Sequence, residues 1–223
     1  MPKRFPVRLA LAVLLVLSLT LAPLRAAEPA NLTLAKETVH RYLTSGAYGE
    51  DLTKVAVKAG KHLAKRVARP LKAGEKRAIV FDIDETTLTN LSHITANDYG
   101  YVPEVWSRWT ATGQARAIIP VQLIYDVATH NQVAVFFITG RGPAEAAATE
   151  RNLRETGYAT WEKIYYKPDD HSGTARGYKT EIRRQLAAQG YTILLNIGDQ
   201  ESDLAGGFAE ATFKLPNPFY LIR

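Results

Sequence analysis

The sequence predicts an α/β domain: a Rossmann-like parallel sheet with helices on both faces, a small insertion after its first strand and a helical amino-terminal extension. Three observations carry that expectation. From residue 77 onward, short apolar runs rich in β-branched residues alternate with stretches of helical spacing. The runs are apolar at consecutive rather than alternate positions, the pattern of strands buried on both faces. The longest of them end abruptly in polar clusters, and open α/β sheets bind ligands beyond the carboxyl ends of their strands.

In chain order, residues 1–26 read as an export signal. Lys3, Arg4 and Arg8 precede an apolar run of 14 residues, Leu9 to Ala22, and Pro23 ends it just before Ala26 and Ala27. A spanning helix needs ~20 apolar residues, so cleavage is expected rather than a retained anchor. No cysteine follows the run to take a lipid. The expected mature product is soluble, periplasmic or secreted, and makes no membrane contact after cleavage.

That segment holds four basic residues and no acid, so without it the formal net charge falls from +6 to +2. A nucleic-acid polymer is therefore not an expected partner, because phosphate-backbone binding needs a strongly basic stripe. The dense run Lys58 to Arg66 reads instead as the solvated face of a helix. The chain has no cysteine, so no disulfide supports an exported fold. The remaining 197 residues suffice for one domain with a full core.

Residues 27–74 form the extension, with helical spacing over 33–45 and 48–69 and a stop at Arg69-Pro70. The core spans 75–223. Strands are expected at 77–83, 132–138, 163–167 and 192–197, and a short element at 212–215. Helices are expected near 118–130, 142–156 and 178–189. Between the first strand and the helix at 118 lies an insertion over about 88–116. It carries Tyr99, Tyr101, Trp106 and Trp109 among polar residues. Connections of this length in compact domains tend to be lids or binding loops, though such aromatics equally pack an insertion onto its domain.

The chemistry is concentrated at the strand ends. Ala78 to Phe81 runs into Asp82-Ile83-Asp84-Glu85-Thr86-Thr87. Alternation sends Asp82 and Asp84 to one side, ~6.5–7 Å apart, and two carboxylates that close need a cation or a shared proton. The second strand ends in Thr139-Gly140-Arg141-Gly142, a turn into a helix whose backbone N–H groups suit a phosphate. Tyr178-Lys179-Thr180-Glu181 opens a further helix and offers Lys179 as a point charge. The last long strand ends in Gly198-Asp199-Gln200-Glu201-Ser202-Asp203, its glycine permitting a tight turn. Each station is a common turn or cap by itself. Together they suit phosphoryl transfer through an aspartyl-phosphate, assisted by Mg²⁺ on Asp82, Asp199 and the main-chain carbonyl of Asp84.

The four stations resemble those of the haloacid dehalogenase superfamily: DxD at Asp82 and Asp84, Thr139 closing the second strand, Lys179, and GDxxxD from Gly198 to Asp203. Phe81 to Thr86, Tyr178 to Arg183 and Phe213 to Pro218 are similar to the acid phosphatase branch that includes plant vegetative storage proteins and bacterial enzymes. The likeness covers about residues 75–222. It implies Asp82 as nucleophile and Asp84 as general acid and then base. It further implies Thr139, Gly140 and Lys179 on the phosphoryl group, and Mg²⁺ on Asp82, Asp84 and Asp199. Asp203 is expected to orient a ligand or a metal-bound water, and Trp106 and Tyr99 to contact a small-molecule phosphomonoester. The rival expectations are a storage or binding protein without turnover and a phosphotransferase to an alcohol.

Overall fold

The computed structural model describes residues 28–222. The export signal expected at 1–26 lies outside them. Among the described residues no helix is long and apolar enough to cross a membrane.

The chain divides into two compact units, residues 1–37 and 38–223. The described part of the first is a short lead and the opening turns of α1 (Leu32–Thr44). There Asn31 caps the helix, its Oδ1 accepting the N–H of Thr33 at 3.0 Å.

The second unit holds everything else. Helix α2 (Ala47–Val67) is followed by β1 (Lys76–Phe81), a ribbon of β2 (Leu88–Thr89) and β3 (Arg116–Ala117), and between these α3 (Leu91–Ala96) and α4 (Pro103–Thr112). Then come α5 (Ile119–His130), β4 (Ala134–Ile138), a 3₁₀ turn at Pro143–Glu145 and α6 (Ala146–Glu155). The chain closes with β5 (Lys163–Tyr165), α7 (Ala175–Ala188), β6 (Tyr191–Gly198), α8 (Glu201–Leu204) and β7 (Thr212–Lys214). The five core strands lie in the order β5-β4-β1-β6-β7, and every pairing is parallel. All their carboxyl ends therefore meet one edge, with β1 at the centre.

Alternation along β1 divides the core. Ile79 and Phe81 join α2, α5 and Leu153 of α6 in the larger cluster, while Ala78 and Val80 face α7 through Ile182 and Leu186. Both faces are covered, as the unbroken apolar runs required. The extension is helical as expected, but α2 does not stand apart from the sheet. Its Tyr48, Leu52, Ala56, Ala59 and Leu63 lie in the same cluster as Ile79.

Helix α2 is also tied to the sheet by charge. Arg66 donates to Glu75 at 3.0 Å and to Glu210 at 2.5 Å, and Arg77 donates to Glu75 at 3.3 Å. A hydrogen bond from the Lys72 backbone N–H, with help from Arg77 and Arg66, pulls the Glu75 carboxyl down to about 2. A carboxylate with a lowered pKa stabilises the fold above its ordinary pKa and loses that contribution as pH falls toward the folded value. Melting temperature should therefore drop between about pH 4.5 and 2, and Glu75→Gln should start lower at pH 6 and lose less over that window. Parallel melting curves for the two proteins across it would rule the network out as an acid-sensitive tie.

Candidate active site

Asp82 follows directly on β1, and its N–H still bonds the Ile197 carbonyl of β6 at 2.9 Å. Its side chain meets α7, where Lys179 Nζ donates to Asp82 Oδ1 at 2.5 Å and to Asp203 Oδ1 at 2.6 Å. Carboxylate oxygens of Asp82, Asp199 and Asp203 lie within 4.8 Å of one another, and all three residues are buried. Burial, and then the charges of Asp203, Asp199 and Asp84, push the Asp82 carboxyl well above the ordinary range although Lys179 opposes them. Burial works against the Lys179 ammonium too, but Asp203 and Asp82 outweigh it and keep it protonated. Three buried acids thus face one ammonium. The cluster is short of positive charge by design of its packing.

Asp199 is held from both sides. Its Oδ1 accepts the Thr86 hydroxyl at 3.1 Å, while its Oδ2 accepts side-chain amides from Gln200 at 2.7 Å and Asn217 at 2.6 Å. Asp203 Oδ2 accepts the Gln200 backbone N–H at 2.8 Å. Both Asp203 oxygens are therefore engaged, and its carboxylate fixes Lys179 directly. Gly198 has a different reason from the tight turn expected of it. Its φ is not in the left-handed region, but a Cβ there would collide with the Asp203 side chain. Lys179 does not open its helix either. Thr174 caps α7, accepting the Gly177 N–H at 3.1 Å, so Lys179 projects from the second turn.

Asp84 is less enclosed, its side chain 18% exposed. Arg141 grips it, with Nη2 on Oδ1 at 2.7 Å and Nε on Oδ2 at 3.1 Å, and the Asn90 amide adds a bond to Oδ1 at 2.9 Å. Asn90 in turn accepts the Trp109 indole N–H at 2.8 Å. Beneath them Glu85 is fully buried, and burial followed by the charge of Asp84 raises its carboxyl to about 8. Glu85 sits at φ 55, a left-handed backbone that its bonds from Asn90 and from the Tyr220 hydroxyl help to impose.

The turn after β4 differs from its expectation. Thr139 is buried, and its Oγ1 accepts the Arg141 N–H at 3.1 Å. The Gly142 N–H donates to Glu145 at 2.8 Å, and the helix begins as a 3₁₀ turn at Pro143. Two backbone donors expected to face a phosphate are thus satisfied within the turn. Gly140 remains exposed beside them.

The insertion is not an irregular loop but two helices and a ribbon. Tyr99 stacks on Phe219, ring centroids 6.4 Å apart, and packs against the larger core cluster. Trp106 lies edge-on to His93 at 5.6 Å, with the Arg141 guanidinium 5.9 Å from its ring. Of the two aromatics expected at substrate, Tyr99 is used in packing and Trp106 reaches the Asp84 clamp. Sequence reasoning missed Arg141, Asn90, Gln200 and Asn217 as site residues. Arg141, Gln200 and Asn217 stood inside motifs already singled out, whereas nothing local marks Asn90.

Residues 15–223 match the family model for the HAD superfamily, subfamily IIIB (acid phosphatase). The chain belongs to that family. This subfamily IIIB chain is 39% identical over 163 residues to the stem 28 kDa glycoprotein of Glycine max, covering 70% of itself and 64% of that protein. It is 32% identical over 191 residues to acid phosphatase 1 of Solanum lycopersicum, covering 82% of itself and 73% of that protein. The class C acid phosphatase from Bacillus anthracis superposes with a TM-score of 0.69 at 25% identity, over 85% of this chain and 87% of the other. Family and fold agree on an α/β chain of the acid phosphatase subfamily, and this chain spans less than two thirds of the length of the first curated relative it matches.

Proposed function

We propose that this subfamily IIIB chain is an exported, divalent-cation-dependent acid phosphatase that hydrolyses small-molecule phosphomonoesters through an aspartyl-phosphate on Asp82. The observation that carries the reading is the convergence of Asp82, Lys179, Asp199 and Asp203, brought from the ends of β1 and β6 and from α7 and α8 onto one buried point. An all-oxygen donor set with excess negative charge fits Mg²⁺, a hard ion that keeps several waters. Asp82, Asp199 and the main-chain carbonyl of Asp84 would hold it, and when bound it supplies charge neutralisation for the nucleophile and the phosphoryl group.

The chain's own residues then divide the work. An Asp82 oxygen attacks phosphorus as the bond to the leaving alkoxide breaks, and Asp84 gives that alkoxide its proton. In the second half Asp84 takes a proton from water. The water oxygen bonds phosphorus, the acyl-phosphate bond breaks, and the Asp82 carboxylate and inorganic phosphate result. Thr139, Gly140 and Lys179 hold phosphoryl oxygens. Asp203 keeps Lys179 in place during the interval when Asp82 is esterified.

The test is release of p-nitrophenol from its phosphate ester. EDTA should silence it and Mg²⁺ restore it. Full activity after exhaustive chelation would remove the metal from the reading. No release from any monoester by folded protein would favour the storage or binding role, and transfer to added alcohol in preference to water would make it a phosphotransferase. Amino-terminal sequencing of exported protein should start near Ala27.

Trp106 is placed to border the leaving group, because its ring lies against the Arg141 that holds Asp84. Trp106→Ala should raise KM for a nucleoside monophosphate more than for p-nitrophenyl phosphate, by the ~1–3 kcal/mol of one stacked base. Equal rises for both substrates with a lower melting temperature would mean the ring only packs.

A further inference from the structure

The last described residues of the chain form no regular element, yet they run beneath the acidic cluster and bind it. Asn217 and Gln200 both direct their side-chain NH₂ groups at one oxygen, Asp199 Oδ2. An amide side chain presents NH₂ or oxygen according to what meets its other end. Here that end is met by tail backbone. Asn217 Oδ1 accepts the Phe219 N–H at 2.8 Å, and Gln200 Oε1 accepts the Ile222 N–H at 3.0 Å. A flipped amide would set oxygen against carboxylate on one side and NH₂ against N–H on the other, so each tail bond locks its amide's polarity. Phe219, buried against Tyr48 of α2 with ring centroids 5.3 Å apart, pins the segment that supplies those donors.

The consequence falls on Asp199. Its Oδ2 is occupied by two amide donors and its Oδ1 by one hydroxyl contact at 3.1 Å. We infer that the carboxyl-terminal strap, Asn217 to Ile222, is the positioning device of the metal site: through the locked amides of Asn217 and Gln200 it fixes the Asp199 carboxylate with Oδ1 presented to the cation. Asn217 is thus a positioning residue acting through Asp199, and the inference rests on the reading of Asp199 as a metal ligand. Partners of this kind, which orient a ligand without touching the ion, change metal affinity 10–100-fold when removed.

The experiment is calorimetric titration of the full mature chain with MgCl₂ in the absence of substrate, alongside its melting temperature in EDTA. Asn217→Ala should weaken Mg²⁺ binding by about tenfold or more. Gln200→Ala, which removes the other amide from the same oxygen, should do the same and decides the matter if the Asn217 variant does not fold. Ile124→Val, which trims the buried face of α5 and touches none of the hydrogen-bond partners of Asp199, should lower the melting temperature and leave Mg²⁺ affinity unchanged. Wild-type binding with unaltered affinity in both amide variants overturns the role of the strap and leaves the metal site standing. Absence of Mg²⁺ binding by wild type overturns the metal assignment, and the strap's role with it. A loss of affinity in Ile124→Val equal to that in the amide variants overturns the inference too, since general loosening would then account for it.

Discussion

Asp82→Asn is expected to lower kcat/KM for p-nitrophenyl phosphate by on the order of 10⁴-fold or more, because an amide cannot form the acyl-phosphate. The fold should not suffer. Asp82 is one of three buried carboxylates facing the single ammonium of Lys179, and its carboxyl already sits well above the ordinary range. Removing its charge relieves burial and repulsion, and Asp203 still holds Lys179 at 2.6 Å. The melting temperature without metal should therefore equal or exceed that of wild type. A folded variant with substantial turnover would exclude the aspartyl-phosphate. A melting temperature well below wild type would instead mean that the Lys179–Asp82 pair is a net stabilising tie.

The largest expected loss of stability comes from Arg183→Met. Arg183 has no exposed surface, and its guanidinium donates to the main-chain carbonyls of Asp203 and Gly207 at 2.6 and 3.1 Å and to that of Ala205. Burial lowers its pKa to about 10, so it remains a cation at neutral pH. Met replaces the volume but leaves those carbonyls short of donors. Stranding buried polar groups of this kind costs about 3–5 kcal/mol, which for a domain of this size is about 6–20 °C in melting temperature. Because the same carbonyls frame α8, the variant should also loosen Asp203 and with it Lys179, so activity should fall at temperatures where the protein is still folded. A denaturation free energy within about 1 kcal/mol of wild type would mean water or another donor satisfies the carbonyls, a normal outcome only for exposed groups.

The two variants show where local reading succeeds and where it stops. Asp82, Asp84, Thr139, Lys179 and Asp199 were legible because each sits at a strand's end or on a following helix, and strands and helices announce themselves through spacing over a few residues. A parallel sheet then brings every such end to one edge without further information. The common direction of the strand ends and the burial of both faces follow from the same short-range pattern and from right-handed crossovers, whereas the order β5-β4-β1-β6-β7 is given only by the packed sheet.

What spacing cannot reach is the choice of partner across the chain. Nothing near Asp84 in the sequence marks Arg141, 57 residues away, as the residue that grips it. Asn217 joins Asp199 across 18 residues, and Tyr220 joins Glu85 across 135. Helix α2 looked like part of an extension because its apolar stripe is the same whether it covers its own sheet or another surface. Tyr99 and Trp106 have one composition and two fates, one stacked on Phe219 and one beside Arg141. Hydrophobic period and turn chemistry are properties of neighbouring residues, so they specify elements and their ends. Hydrogen-bond partners, the lowered or raised acidity of buried groups and the reason for Gly198 depend on which surfaces meet, and only the packed chain contains that.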